Sequence, residues 1–345
     1  MGQSGVSVAS DDSIQLAHGG GGQLTAELIR DVILPALGGQ RAEGLTDAAV
    51  LAGDGPMAFT TDSYIVQPLE FPGGDIGKLA VCGTINDLAV SGARPVALSL
   101  SLVLQEGLQI ALLERVLASA GRAARDAGVE IVTGDTKVLP RAALDGMVIN
   151  TSGVGAMLPG ASLGFDRIEP GDAVVLSGPL GEHGLAVMSC REGLAFATEL
   201  RSDCASLHEL TAALIGELGE AVRFMRDPTR GGLAAVVVEI GQSCGCDVEI
   251  DEAALPGNAT ARAAADMLGL DVLTVANEGK LVAFVAAAAA DRAAALLRPF
   301  DVAAAAAVIG RVGQRSDSPL VEMVTSAGGR RIVQMPYGEE LPRIC

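Results

Sequence analysis

Tryptophan is missing from the 345 residues, Tyr occurs twice and Phe seven times. That leaves too little flat aromatic surface to stack unpaired bases. Basic side chains are also scarce: 24 Lys and Arg stand against 42 Asp and Glu, a formal net charge of −18. Nucleic acid is therefore excluded as a partner, because phosphate-backbone binding needs clustered cations. Apolar residues make up 49% of the chain, yet no uninterrupted run approaches the roughly 20 positions that span a bilayer. A soluble, cytoplasmic protein with no membrane partner is expected. The opening MGQSGVSVASDDSIQLAHGGGG has no basic start followed by an apolar stretch, so no secretory signal is read. Val6 stands where a myristoylation pattern needs Ser or Thr. Cys82, Cys190, Cys204, Cys244, Cys246 and Cys345 show no paired zinc spacing, and packing thiols in a reducing compartment are the expectation.

What is present alternates strand and helix. QLTAELIRDVILPAL (23–37) has apolar residues at helical spacing, MAFTTDSYIV reads as a strand, and GDIGKLAVCGTINDLAVSGA reads as a helix built of small residues. PVALSLSLVL, VEIVTGDT and DGMVINTSGVGAM predict further strands, and IALLERVLASAGRAARDAG an amphipathic helix. LPGASLGFDRIEPGD, rich in Gly and Pro, marks a boundary. After it a similar rhythm resumes, with strands at DAVVLSGP, DVEI and KLVAFVA and helices at GEHGLAVMS, RDPTRGGLAAVVVEIGQ, NATARAAADMLG and AAADRAAALLRPF. The division is a glycine-rich arm and helix (1–45), a first domain (46–160), a second domain (161–313), and a hairpin with a mobile tail (314–345). The fold class is α+β (α/β), two domains each with a mixed sheet packed by helices.

Several acidic and glycine positions fall where strands meet helices: Asp47, Asp62, Asn86 with Asp87, Asp135 with Lys137, and Asp227 with Arg230. Any one of these can simply cap a turn. Together, carboxylates converging without matching bases repel one another unless a divalent cation lies between them. Glycines that let backbone amides approach phosphates complete the outline of a nucleotide site. It is not a Walker site, because PGGDIGKL has Pro72 and Leu79 at two required positions. HGGGG, with His18, Gly19 and Gly20, is either a flexible linker or a lid over phosphates. His183 also flanks a glycine loop, and His208 reads as a surface residue of a polar helix. The last residue is Cys345. By itself it is a chance thiol on an unstructured end or a functional one, and prenylation is excluded because that signal needs the cysteine four places from the end.

HGGGG, TTDSYIVQPLEFPGGDIGKLAVCGTINDLAVSGARP, GDTKV, MRDPTRGGLA, NEGKLV and PRIC, in that order over residues 18–345, resemble the hydrogenase maturation HypE family. That family belongs to the aminoimidazole ribonucleotide synthetase-like (PurM-like) group. The resemblance implies two PurM-like α+β domains that bind ATP and Mg2+ at acidic clusters. It implies that Cys345 carries a carbamoyl group received from the carbamoyltransferase HypF, and that ATP-dependent dehydration gives a thiocyanate. The nitrile would supply the cyanide ligand of [NiFe] hydrogenase, through a HypC–HypD iron-carrying complex. It further implies Asp47, Asp62, Asp87 and Asp135 for metal and phosphates, with Gly19, Gly20, Asn86 and Asp227 in the nucleotide site. Lys137 and Glu278 would lie near the modified cysteine, Lys137 as a phosphate counter-charge or an acid-base group. A homodimer is expected from the related fold. Glu182 departs from the Asp of the family pattern and receives no catalytic role; Lys280 is left without a firm one. The alternatives are a small-molecule kinase or selenophosphate synthetase-like enzyme of the same fold, or a non-catalytic assembly scaffold. The selenium enzyme would carry a reactive Cys near its N-terminal glycine loop, and HGGGG has none beside it.

Overall fold

The computed structural model describes residues 22–28, 49–51, 55–140, 143–194, 200–338 and 343–345. Of the expected first helix, α1 (Gln23–Leu28) falls within this range. A first sheet then forms from β1 (Ala49–Leu51), β2 (Met57–Tyr64), β5 (Ala93–Gln105), β6 (Glu130–Leu139) and β7 (Met147–Met157) in the order β1-β2-β7-β5-β6, and β3 (Glu70–Phe71) and β4 (Gly74–Asp75) make a separate ribbon. Only β5 and β6 run parallel, and their crossover is the amphipathic helix α3 (Ile110–Asp126).

The helix α2 (Ile76–Val90) lies on this sheet. Asp75 starts it by accepting the amide protons of Gly77 and Lys78 at 2.8 and 3.0 Å, which satisfies two donors that a helix start leaves open. Nearly all of α2 is buried. It has no polar face because it is enclosed on several sides, by β2, β5 and β7, by α3, and by α5 (His208–Leu218) from the second half. Small residues make that approach possible: a Cβ on Gly83 would run into the Tyr64 hydroxyl.

The second sheet has the order β14-β13-β10-β12-β8-β11-β9, formed by β8 (Ala173–Leu176), β9 (Val222–Arg226), β10 (Cys246–Asp251), β11 (Val282–Val285), β12 (Ala307–Arg315), β13 (Val321–Val324) and β14 (Arg330–Ile332). β8 and β11 are buried throughout, as continuous apolar strands covered on both faces must be. On one side Val174, Leu176, Val282 and Phe284 meet α6 (Gly232–Cys244). On the other, Ala173, Val175, Ala283 and Val285 meet α5 and α8 (Ala290–Leu297). The helices α4 (Glu182–Arg191) and α7 (Ala259–Leu268) pack together at one end. The SAGG hairpin joins this sheet through β13 on β10.

The hydrophobic core does not respect the break between the sheets. Tyr64, Ile76, Ile85 and Ile149 of the first half share one cluster with Val187, Cys204, Ala276 and Ile344 of the second. Asn86 reinforces the junction: its side-chain amide donates to Ala205 O (3.0 Å) and Glu278 O (3.2 Å), and its carbonyl accepts from Leu207 N (2.8 Å). Among the described residues no helix is long and apolar enough to cross a membrane.

Candidate active site

Two segments of the first half and three of the second enclose the end of the chain. From the first come β2, with Thr60, Asp62 and Tyr64, and α2, with Thr84, Asn86 and Asp87. From the second come the turn Asp227–Arg230 ahead of α6, the loop 276–280 ahead of β11, and the loop 200–207 ahead of α5. Gly279 lets two of these loops touch, since a Cβ there would strike the Asp203 carbonyl. This gives the NEGK sequence a physical reason for its glycine.

The chain end is held by its backbone. The Arg343 carbonyl accepts from Arg191 Nη2 at 2.8 Å and from the Gln67 amide at 3.1 Å. Arg191 also reaches the Gln67 carbonyl with Nη2 at 2.6 Å, and the Arg343 guanidinium lies 2.6 Å from Asp145. One residue on, the Ile344 carbonyl is 2.9 Å from His183 Nε2, while His183 Nδ1 is 2.8 Å from Ser202 Oγ. A carbonyl can only accept, so Nε2 carries the proton and Nδ1 accepts from Ser202. Burial keeps this imidazole below its ordinary pKa and hence neutral. The Ile344 side chain is buried in the shared core.

Cys345 thereby lies in the cleft beside Glu278, Arg230 and Asp62. Burial raises the thiol well above an ordinary cysteine, and Glu278 and Asp62 add to this while the Arg230 guanidinium opposes it. Glu278 is itself buried and held well above the carboxylate range, first by burial and then by Asp227, Asp203 and Asp62. Both shifts favour the neutral form of the group. Below them, Tyr64 is pushed up by burial and by Asp62 and Asp87, Thr60 donates to Asp87 at 2.8 Å, and Thr84 bonds Thr151.

Lys280 forms a separate buried cluster, 3.0 Å from both Glu182 and Asp203. Burial disfavours its charge, but Asp203 and Glu182 outweigh this and hold it above an ordinary lysine. Asp203 is lowered, burial being overcome by Lys280 and His183. Glu182 also accepts from Asn258 at 2.6 Å, so its longer side chain is tied down at both oxygens.

The structure thus brings Asp62, Asp87, Asp227, Glu278 and Cys345 together. Asn86 is committed to the domain junction. Asp135 and Lys137 are elsewhere, on β6, paired at 2.7 Å with side chains 60% and 67% exposed. The charged groups that act most strongly on Cys345 are Glu278, Arg230 and Asp62; Lys137 is not among them. His18, Gly19, Gly20 and Asp47 lie outside the described residues. His208, read as a surface residue, is half-buried at the start of α5, and burial lowers its pKa. Sequence reasoning passed over Arg230 as a partner of Cys345, and His183 and Arg191 as holders of the chain end. Only the closeness of Arg230 to Asp227 in RDPTRGG hinted at the first.

No three His, Cys, Asp or Glu side chains converge as a ready metal site among the described residues. Mg2+ typically takes only one or two carboxylates with phosphate oxygens and water, and Asp62 and Asp87 fit that requirement.

Residues 45–157 match the AIR synthase related protein N-terminal domain, and residues 169–321 its C-terminal domain. Fold and site therefore define an AIR synthase-related protein. The chain is 48% identical to carbamoyl dehydratase HypE of Rhodobacter capsulatus over 97% of this chain and 99% of that protein. A crystal structure of a HypE–HypF complex superposes with a TM-score of 0.84 at 42% identity, covering 90% of this chain and 99% of that one. HypE in complex with ATP gives 0.81 at 45% identity, covering 96% and 100%. The chain belongs to the carbamoyl dehydratase HypE family.

Proposed function

We infer that this protein is an ATP-dependent carbamoyl dehydratase of hydrogenase maturation, acting on a carbamoyl group carried by its own Cys345. The observation that carries the reading is the Cys345 thiol set beside a buried Glu278 in the cleft that also holds Asp62 and Arg230. The cargo is an S-carboxamide, which becomes a thiocyanate by losing the amide oxygen and two N–H protons. When bound, ATP with Mg2+ supplies the phosphoryl group that lets that oxygen leave. Asp62 and Asp87 would hold the metal and phosphates, with Asp227, Asp47, Gly19 and Gly20 in the same nucleotide reading; Asn86, tied into the domain junction, and Asp135, paired with Lys137 on β6, fall outside it in this chain. Glu278 is the group that handles protons at nitrogen, being in contact with the sulfur that bears the cargo. Tethering replaces a bimolecular encounter by an intramolecular one.

The relative solved with HypF supports HypF as the carbamoyl donor. HypC–HypD as the acceptor, a cytoplasmic location and a homodimer belong to the same reading. In favour of the homodimer, the first sheet leaves Phe59, Val132 and Val138 exposed. Lys137 and Asp135 sit on the edge strand of that sheet, where a second copy would meet them. This is how Lys137 could reach a cysteine it does not accompany in its own chain.

Intact-mass measurement after incubation with HypF, a carbamoyl donor and then ATP tests the reading. The wild-type chain should gain one carbamoyl group at Cys345 and then lose one water. Glu278→Gln should hold the carbamoyl group and dehydrate it at least a hundredfold more slowly, within the ~10²–10⁴ range of acid–base catalysis. Binding of HypF with no mass change would favour a scaffold, and an unchanged rate in Glu278→Gln would remove Glu278 from the chemistry.

A further inference from the structure

Two thiols that the proposed reaction does not use meet across the domain junction. Cys82 comes from α2 and Cys204 from the loop 200–207. Both are buried and belong to the shared core. They line one cavity of about 330 Å³ together with Lys78, Asp126, Glu209 and Asp301. Asp126, Glu209 and Asp301 are exposed, so they form a rim at the surface while the two sulfurs sit deeper. The two side chains line the same cavity from opposite domains and interact directly with each other.

We propose that Cys82 and Cys204 are a disulfide-forming pair, oxidised through this cavity by small neutral or cationic oxidants, so that the two domains become covalently joined beside the active site. The two sulfurs are unequal. Contact with Cys204 favours the Cys82 thiolate, outweighing burial, and Lys78, one turn earlier on α2 and lining the same cavity, assists. The same contact, with burial, holds Cys204 as the thiol. The thiolate is the nucleophile in exchange. Cys82 attacks one sulfur of a low-molecular-weight disulfide and releases one thiol. Cys204 then attacks the Cys82 side of the mixed disulfide and releases the second. The protein loses two electrons and two protons, and the small disulfide becomes two thiols. Closing the bond brings the sulfurs to about 2.05 Å. The acidic rim selects against anionic oxidants, so cystamine, a cationic disulfide, is the suitable probe.

The cross-link would bear on residues already described. Cys204 follows Asp203, the partner of Lys280 and of the Glu278 amide. Its own amide donates at 3.1 Å to the Ser202 hydroxyl that meets His183.

The experiment treats the full chain with cystamine, blocks remaining thiols, and maps disulfides by mass spectrometry of a non-reduced digest. The expected result is a peptide pair joining Cys82 to Cys204, lost on reduction, formed at least tenfold faster than with glutathione disulfide at equal concentration. Cys82→Ser should leave Cys204 unmodified, whereas Cys204→Ser should leave a stable cystamine adduct on Cys82; the wild-type map is read independently of whether either variant folds. A lasting cystamine adduct on Cys82 of the wild-type chain would overturn the proposal. So would linkage of either cysteine to Cys190 or Cys345 instead, or equal rates with the two oxidants.

Discussion

Burial, and after it Asp227, Asp203 and Asp62, raise the Glu278 carboxyl above its ordinary pKa and favour its protonated form. Its folded pKa lies above the unfolded value of about 4.3. Between those two values the native chain binds the extra proton, so stability is full below about pH 4.3 and falls as pH rises toward the folded value. Glu278→Gln keeps the shape and removes the ionisation. Urea unfolding should therefore find the variant more stable than wild type at pH 8, with the gap shrinking toward pH 4.5; a gap that stays constant with pH would contradict this. Asp62, Asp87, Asp227 and Cys345, which the fold brings together, were legible as candidates because the acids recur where strands meet helices and because the motifs resemble those of a known family, whereas Asp135 lies apart on β6. The shift of Glu278 and Cys345 toward their neutral forms was not legible, since it arises from burial by segments of both halves that meet only in the fold.

At the scale of elements, the chain end is held mainly through main-chain carbonyls, by Arg191, Gln67 and His183. Hydrogen bonds from a charged donor are worth about 1.5–3 kcal/mol. Arg191→Ala should thus raise the rate at which iodoacetamide modifies Cys345 by roughly tenfold, the equivalent of about 1.4 kcal/mol. Peptide mapping of the alkylation time course measures it, and an unchanged rate would mean that Arg191 does not hold the segment. This arrangement was invisible in the sequence because a carbonyl acceptor has no residue signature. The regular elements were more accessible. α2 and α3 follow from apolar spacing and small residues, and β8 and β11 from unbroken apolar runs. β12 was missed, since its Gly310 and Gly313 weaken the strand pattern; a Cβ at Gly310 would strike the Glu249 carbonyl of the neighbouring strand.

On the scale of the whole molecule, the two sheets were anticipated from the repeating rhythm, but their fusion into one shared core was not. Periodicity reports a buried face and not what covers it. Asn86 concentrates this fusion in one side chain, and Asn86→Ala would leave Ala205 O, Glu278 O and Leu207 N without it. A loss of about 2–4 kcal/mol is expected from stranding such groups, read as a lower urea midpoint. A midpoint within error of wild type would show that the junction rests on packing alone.

Ile344 gives the carrier arm an anchor next to its load. Withdrawing a buried isoleucine into water costs about 2–3 kcal/mol, which, added to the Arg191 and His183 contacts, makes an extended arm rarer than roughly one in a hundred at equilibrium. Traffic to another protein would then be governed by that protein's grip on the isoleucine as much as on the sulfur. A docking partner that supplies a substitute apolar socket could lengthen the outward dwell without touching the catalytic groups at all.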